Sequence, residues 1–473
     1  MTAAQEQQTY DVIVIGAGPT GENLADRAHA GGLSVALVEA ELVGGECSYW
    51  ACMPSKALLR PMAARADAAR VPGLEAPALD PAAVLATRDA FTSHWHDDGQ
   101  VAWAEGAGLS VVRGHARLAG PRRVVVEGPG ASLELTARHA VAVCTGTSAV
   151  LPDLPGLDAV QPWTSRQATS AKAAPERLAV VGGGVVAVEM AAAWNALGSR
   201  VTLLVRGERL LDRMEDFAGG LVAEGLRTAG VDVRFGVSVR GARRNGEVVL
   251  DLDDGSELRA DEVLFATGRR PATADLGLET VGLEPGGWLP VDDTGLVQGV
   301  EGGWLYAAGD VNHRALLTHQ GKYQGRVFGA VIADRAAGRE LDTVPWGRSV
   351  ATADVAAVPQ VVFTDPEAAS VGLTLAQAEG AGRRVRAVDF EIGNVAGASL
   401  FAEGYRGRAR MVVDLDREVL LGATFVGPGV AELLHSATVA VVGEVPVSRL
   451  WHAVPSYPTI SEVWLRLLEA YRG

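Results

Sequence analysis

The feature that most narrows what this chain can fold into is a glycine-rich turn placed between two strands, and it occurs twice. The first copy begins with the apolar run Tyr10-Asp11-Val12-Ile13-Val14-Ile15, which reads as a short buried strand. Gly16-Ala17-Gly18-Pro19-Thr20-Gly21 turns directly into a helical segment, and a second strand, Val35-Ala36-Leu37-Val38, ends on Glu39, 23 residues after Gly16. Glycine lets the backbone approach a pyrophosphate at a helix N-terminus, and the terminal carboxylate is spaced to bind ribose hydroxyls. Gly16, Gly18, Gly21 and Glu39 are therefore expected to hold a dinucleotide.

The second copy starts at Leu178-Ala179-Val180-Val181. Gly182-Gly183-Gly184-Val185-Val186-Ala187 follows, with Ala187 in the third glycine's place, then a helix and the strand Val201-Thr202-Leu203-Leu204. Counting 23 residues from Gly182 reaches Val205, not a carboxylate; Arg206 comes next, with Arg209 and Arg213 nearby. A missing ribose carboxylate beside basic residues suits a 2′-phosphate, so NADPH rather than NADH is expected on Gly182, Gly184, Ala187, Arg206 and Arg209.

Between the copies stands Gly44-Gly45-Glu46-Cys47-Ser48-Tyr49-Trp50-Ala51-Cys52-Met53-Pro54-Ser55-Lys56, carrying two of the chain's 3 cysteines. Half of a metal site is disfavoured, because one cysteine remains and no histidine cluster accompanies the pair. A redox-active dithiol is expected. Positions i and i+5 of a regular helix lie about 7.5 Å apart along the axis, too far for a disulfide. Cys47 is thus placed in a distorted first turn fed by Gly44-Gly45, with Cys52 a turn further in. A helix N-terminus, with Lys56 four residues beyond Cys52, would lower a thiolate's pKa.

The rest of the chain is read around these motifs. Residues 1–8 form a short polar leader with no signal-peptide succession, and no apolar run is long enough for a transmembrane helix. The formal net charge of −15 argues against general nucleic-acid or anionic-membrane binding. With no signal-peptide succession the cytoplasm is expected, a compartment that favours a catalytic disulfide over a structural one. Residues 57–105 read as helices, including His94-Trp95-His96, where i and i+2 do not share a face and no metal site is expected. Short strands over 109–143 end in Val143-Cys144-Thr145-Gly146, with Cys144 a small core residue. Leu151-Pro152-Asp153-Leu154-Pro155-Gly156 reads as a linker. Phe265-Ala266-Thr267-Gly268 echoes Thr145-Gly146, and Leu305-Tyr306-Ala307-Ala308-Gly309-Asp310 delivers a carboxylate on a close-approaching glycine, before a helix over about 317–337. The final third has no nucleotide signature, and it closes with Tyr457-Pro458-Thr459-Ile460-Ser461-Glu462.

Taken together, these motifs resemble the class I pyridine nucleotide-disulfide oxidoreductases: dihydrolipoamide dehydrogenase, glutathione reductase and mercuric reductase. The resemblance runs from about residue 9 to 470. It implies an α/β fold of two Rossmann-like domains binding FAD and NAD(P), plus a C-terminal α+β dimerisation domain. The segments would be 1–150 and 276–347 for FAD, 151–275 for NAD(P)H and 348–473 for dimerisation. FAD would lie on the first glycine motif, with Gly45, Lys56, Thr145, Gly146, Gly268 and Gly309 also in the cofactor sites and Asp310 on the ribityl chain. Cys52 would be the thiol nearest the flavin and Cys47 the interchange thiol. Lys56 would pair with Glu189, and a homodimer would share each active site across its interface.

Two departures bear on the electron acceptor. Where dithiol-exchange members carry a histidine paired with the glutamate five residues later, this chain has Tyr457, with Glu462 retained. Tyrosine, with an ordinary pKa near 10, is a poor base at neutral pH, and His452 could replace it only if its loop rearranged. Between the cysteines, Tyr49-Trp50 stands where small or polar residues are usual, serving as packing or as an aromatic wall for a flat acceptor. The expected function is NADPH oxidation through FAD and the Cys47–Cys52 disulfide to a small-molecule acceptor, a disulfide or a soft metal ion. The alternatives are a quinone reductase or transhydrogenase working directly from the flavin, a dihydrolipoamide dehydrogenase, and a non-catalytic flavin redox sensor.

Overall fold

The computed structural model describes residues 6–128, 130 and 132–473, and within them the chain divides into two compact units. The first gathers the described residues within 1–53, 92–149 and 268–354; the second gathers 54–91, 150–267 and 355–473. Of the polar leader expected over residues 1–8, the first five lie outside the described residues. The next three belong to a strand, Glu6–Ile15, which therefore begins four residues earlier than its apolar run suggests.

The first unit is built on a seven-stranded sheet. Its order is Ser110–Arg113, Val35–Glu39, Glu6–Ile15, Ser132–Val143, Arg123–Glu127 and His115–Leu118, with Leu305–Ala307 also pairing Ser132–Val143. The central strands are parallel: Val12 to Ile15 run beside Val35 to Val38 on one side and Ala140 to Val143 on the other. Strands covered on both faces must be apolar throughout, and Val12, Ile13, Val14 and Leu37 are fully buried. The helix Pro19–Ala30 packs on Thr318–Ala336, which matches the expected 317–337 span. Gly321, Gly325 and Gly329, one turn apart, make the close approach possible. A Cβ on Gly321 would lie 2.2 Å from Thr20 Oγ1, and one on Gly325 2.6 Å from the Thr20 carbonyl oxygen.

The second unit repeats the parallel theme in four strands, ordered Asp232–Phe235, Arg200–Val205, Arg177–Val181 and Glu262–Phe265. The helix Val185–Ala196 packs on them, with its whole middle buried, Trp194 included. A three-stranded antiparallel sheet over 239–260 adjoins it in sequence. The C-terminal part is a five-stranded antiparallel sheet, ordered Pro359–Val362, Glu367–Gly372, Val419–Gly427, Arg408–Asp414 and Val385–Glu391. His94 and His96 do not lie on a helix as expected; Ser93–Trp95 is a tight turn with all three φ angles positive.

Candidate active site

In the first unit, strand ends and helix starts converge on the glycine motif. Gly16 has φ of 100°, and a Cβ on Gly21 would lie 1.9 Å from the Gly16 carbonyl oxygen, so neither position tolerates a side chain. Gly18 caps the Pro19–Ala30 helix without any side-chain acceptor, which leaves the helix N-terminus open to an anion. Glu39 closes the loop from the neighbouring strand: Oε2 accepts from the Ala17 amide at 2.7 Å and Oε1 from Glu41 at 2.8 Å. Burial raises its pKa against those two bonds.

A second set of groups comes from the later strands. Gly146 and Gly309 have φ of 69° and 80°. Asp310 Oδ2 accepts from Thr147 Oγ1 at 2.7 Å, burial raises its carboxyl, and Arg269 pulls it back. Arg269 donates to Thr147 Oγ1 at 2.6 Å and pairs with Glu46. The buried Thr145 Oγ1 has no partner among the described residues. Gly268, with φ of 143°, has open space on its Cβ side. An open helix N-terminus, glycines where backbone must approach, an orphaned hydroxyl and a ribose-spaced carboxylate fit a flavin dinucleotide.

The dithiol lies against this cradle. Gly44 and Gly45 both have positive φ, at 112° and 59°, and a Cβ on Gly45 would come within 2.7 Å of the Gly18 Cα. The expected single distorted helix is instead two: Gly45–Tyr49 carries Cys47, the chain breaks at Trp50-Ala51, and Cys52 opens the Cys52–Ala69 helix. The break solves the spacing problem, because neither cysteine must reach along a regular helix. The two sulfurs are hydrogen-bonded to each other. Cys52 Sγ lies 3.1 Å from Thr318 Oγ1 at the start of the Thr318–Ala336 helix.

The expected lowering of the thiol pKa does not hold for Cys47. Its hydrogen bond with Cys52 pushes the thiol far up, burial and the charge on Cys52 add to this, and Thr318 and Lys322 pull the other way. A five-residue helix offers little dipole against two sulfurs sharing one buried site. Tyr49 proves to be packing: it is 3 % exposed, donates to the Val43 carbonyl at 3.1 Å and meets Trp50 edge-on. Cys144 is buried and its thiol is pushed up to about 12 by burial, as suits a core residue.

The second unit carries the other expected site residues. Lys56 Nζ lies 2.7 Å from Glu189 Oε2 and over the Phe363 ring at 5.0 Å, while Glu189 Oε1 accepts from the Phe363 amide at 3.0 Å. Gly182 has φ of 137°, and a Cβ there would lie 2.4 Å from the Ala266 carbonyl oxygen. Gly184 caps the Val185–Ala196 helix with open space on its Cβ side, and Ala187 is fully buried. Arg206 is exposed just past the Arg200–Val205 strand and makes no ion pair among the described residues. Arg209 is already engaged, paired with Asp216 and donating to the Asp212 carbonyl at 3.0 Å.

Tyr457 is 78 % exposed and precedes a cis peptide bond to Pro458. Glu462 does not face it as a partner. Its Oε1 accepts from the Gly397 amide at 2.9 Å and the Thr459 amide at 3.1 Å, completing a capping box with Thr459. That role was readable in Thr459-Ile460-Ser461-Glu462, a T-x-x-E signature. Thr318, Lys322 and Arg269 were not singled out by sequence, because nothing local marks them.

This combination of cradle, dithiol and second dinucleotide motif defines a flavoprotein dithiol oxidoreductase. Residues 10–325 match the pyridine nucleotide-disulphide oxidoreductase model and residues 358–467 its dimerisation domain. The chain belongs to that family, whose members are FAD-dependent enzymes using a pyridine nucleotide. A mercuric reductase of Streptomyces lividans is 33 % identical, the match covering 97 % of this chain and 95 % of that protein. A dihydrolipoyl dehydrogenase of Thermus scotoductus is 34 % identical over 98 % and 97 %. A glutathione reductase of Burkholderia cepacia is 30 % identical over 98 % and 99 %. The same fold is seen in the HOCl-induced flavoprotein disulfide reductase RclA of Escherichia coli, with a TM-score of 0.83, 24 % identity and coverage of 98 % and 99 %. Among the described residues, no helix is long and apolar enough to cross a membrane.

Proposed function

We propose that this enzyme oxidises NADPH and delivers the electrons through the Cys47/Cys52 dithiol to a small-molecule acceptor, a disulfide or a soft metal ion. FAD, when bound on Gly16, Gly18, Gly21, Glu39, Thr145, Gly146 and Asp310, supplies the two-electron relay between nicotinamide and sulfur. The observation that carries the reading is the cysteine pair seated on the cradle, with Gly45 against Gly18 and Thr318 on Cys52. Two adjacent thiols can exchange with a disulfide or chelate a soft cation. Cys52 is assigned the electron-accepting sulfur and Cys47 the one that meets the acceptor, and the Lys56–Glu189 pair keeps the role the family gives it. Exposed Arg206 supports preference for the 2′-phosphate of NADPH. The dimerisation domain supports a homodimer. Val454, Leu400 and Val439, exposed to 85 %, 74 % and 55 %, give it an apolar surface to bury. A reducing cytosol suits a dithiol that cycles through a disulfide.

Anaerobic NADPH should produce a long-wavelength charge-transfer band that Cys52→Ala lacks. A wild-type enzyme without this band would remove the dithiol from the circuit. A second reading, transfer to a quinone directly from the flavin, is favoured by exposed Tyr457 and committed Glu462, which leave no histidine pair for thiol exchange. Turnover of Cys47→Ser separates the two: it should fail with disulfides or metal ions under the first reading and persist with quinones under the second.

A further inference from the structure

Two aromatic stretches that the cofactor sites leave unused, His94-Trp95-His96 and Tyr49-Trp50, meet in the first unit. Ser93, His94 and Trp95 follow one another with φ of 49°, 53° and 60°. A left-handed conformation brings Cβ close to the following carbonyl oxygen, so three non-glycine residues in succession hold it only where surrounding contacts dictate it. Those contacts are with the helix that carries Cys47. The Trp95 indole Nε1 donates to the Tyr49 carbonyl at 3.1 Å, and the Tyr49 hydroxyl lies 3.5 Å from the His96 carbonyl oxygen. Two residues beyond Trp95, Asp97 is buried; its Oδ2 accepts from the Val43 amide at 2.7 Å and pairs with Arg113 at 2.5 Å. Residues 95–97 thus grip the chain on both sides of Cys47, at Val43 just before Gly44-Gly45 and at Tyr49 where the Gly45–Tyr49 helix ends.

Pro54 accounts for a break in the helix, because it has no N–H for the residue-50 carbonyl and its ring would clash with that group. A break alone leaves open how the two halves lie, and so how far apart Cys47 and Cys52 stand; a disulfide needs Cα atoms roughly 4.4–6.8 Å apart. The last carbonyls of a helix have no partner within it, so the group that takes the Tyr49 oxygen fixes the end of the Cys47 half. We infer that Trp95, delivered by the left-handed turn, takes that carbonyl and so holds the Cys47 half of the break at the separation a disulfide needs. Trp95 is a positioning residue that acts through the Gly45–Tyr49 helix, and the inference rests on the dithiol reading above. Without its bond the two sulfurs meet less often in bonding geometry. The Cys47–Cys52 disulfide then loses stability against an external dithiol, and its reduction potential rises.

The test is the potential of the Cys47–Cys52 couple in the FAD-loaded protein, equilibrated anaerobically with dithiothreitol buffers without NADPH and read by alkylation and peptide mass. Each exchange makes one S–S bond and breaks one: two cysteine thiols and oxidised dithiothreitol become the protein disulfide and reduced dithiothreitol. Trp95→Phe, which keeps an aromatic ring and removes the donor, should shift the exchange constant about tenfold towards the protein thiols, a rise of about 30 mV, with flavin content unchanged. His94 is exposed, so its substitutions act on the turn. His94→Val, a β-branched residue that resists positive φ, should produce the same rise; His94→Gly, which adopts that φ readily, should leave the constant within about twofold. An unchanged or lower potential in Trp95→Phe or in His94→Val would overturn the inference, as would a His94→Gly that shifts as far as His94→Val. Loss of flavin at an unchanged potential would assign Trp95 to packing and overturn it too. The measurement needs no hydride transfer: a raised potential in variants of a protein that shows no charge-transfer band upholds this inference while removing the proposed function.

Discussion

Asp354 should make the protein lose stability as pH rises towards neutrality. The carboxyl is 4 % exposed; Oδ1 accepts from Gln320 Nε2 at 3.1 Å and Oδ2 has no partner among the described residues. Burial lifts it from 3.8 to about 7, the Arg314 charge and the Gln320 bond opposing, and Asp293 adding to the rise. Between those two values the folded chain keeps a proton that the unfolded chain has lost. Stability therefore falls with rising pH, by up to about 1.4 kcal/mol per unit, or about 4 kcal/mol across the window. With an unfolding entropy of about 2.1 cal/mol/K per residue, a chain of 473 residues melting as one would show this as about 4 °C, more if the first unit melts alone. The perturbation is Asp354→Asn, which keeps the Gln320 bond and removes the charge. Melting temperatures by intrinsic fluorescence from pH 4 to 8, at fixed ionic strength, should coincide near pH 4 and diverge through pH 7 with the variant higher. A difference that stays constant with pH would refute the assignment. The same scan reads flavin release, because Gln324, beside Gln320 on the helix, accepts from the Gly309 amide and from Asn312, both at 2.7 Å.

Three further outcomes are expected. Gly21→Ala, whose Cβ would sit 1.9 Å from the Gly16 carbonyl oxygen, should yield protein with less than about a tenth of the wild-type flavin, read from the visible absorbance of the purified enzyme. Thr318→Val removes the hydroxyl 3.1 Å from Cys52 at constant volume; it should lower NADPH-driven turnover about fivefold, the worth of about 1 kcal/mol, with flavin content unchanged. Arg206→Glu should raise the KM for NADPH tenfold or more and leave that for NADH within about twofold; equal effects on both would show that Arg206 does not meet the 2′-phosphate.

What the sequence made legible was whatever the backbone itself demands. Gly16, Gly44 and Gly182 adopt φ angles that disfavour any other residue, and the spacing from Gly16 to Glu39 is set by one helix and one strand. Such requirements are local and leave a local trace. The site around the thiols is different, because Thr318 and Lys322 reach Cys47 only after Leu305–Ala307 docks on Val141–Val143 and carries the following helix to the cradle. No periodicity in residues 45–56 announces a partner more than 260 positions away. The thiol pKa was misjudged for a related reason: the helix-terminus rule describes an open end in water. Cys47 is held in a buried pair where the second sulfur is the largest influence.

Glu462 shows why the loss of the family histidine has consequences beyond one residue. A carboxylate that orients a histidine must present an oxygen to it, yet here the Oε1 of Glu462 is taken by the Gly397 amide and by the Thr459 amide that opens the C-terminal helical stretch. Hydrogen bonds to a charged acceptor are worth roughly 1.5–3 kcal/mol each, so enlisting that carboxylate for proton traffic would cost the local fold about 3 kcal/mol or more. Tyr457→His alone should therefore not restore thiol-exchange activity, since the new imidazole would meet a glutamate already committed to a cap. A substantial gain of disulfide turnover in that variant would mean that the cap yields readily.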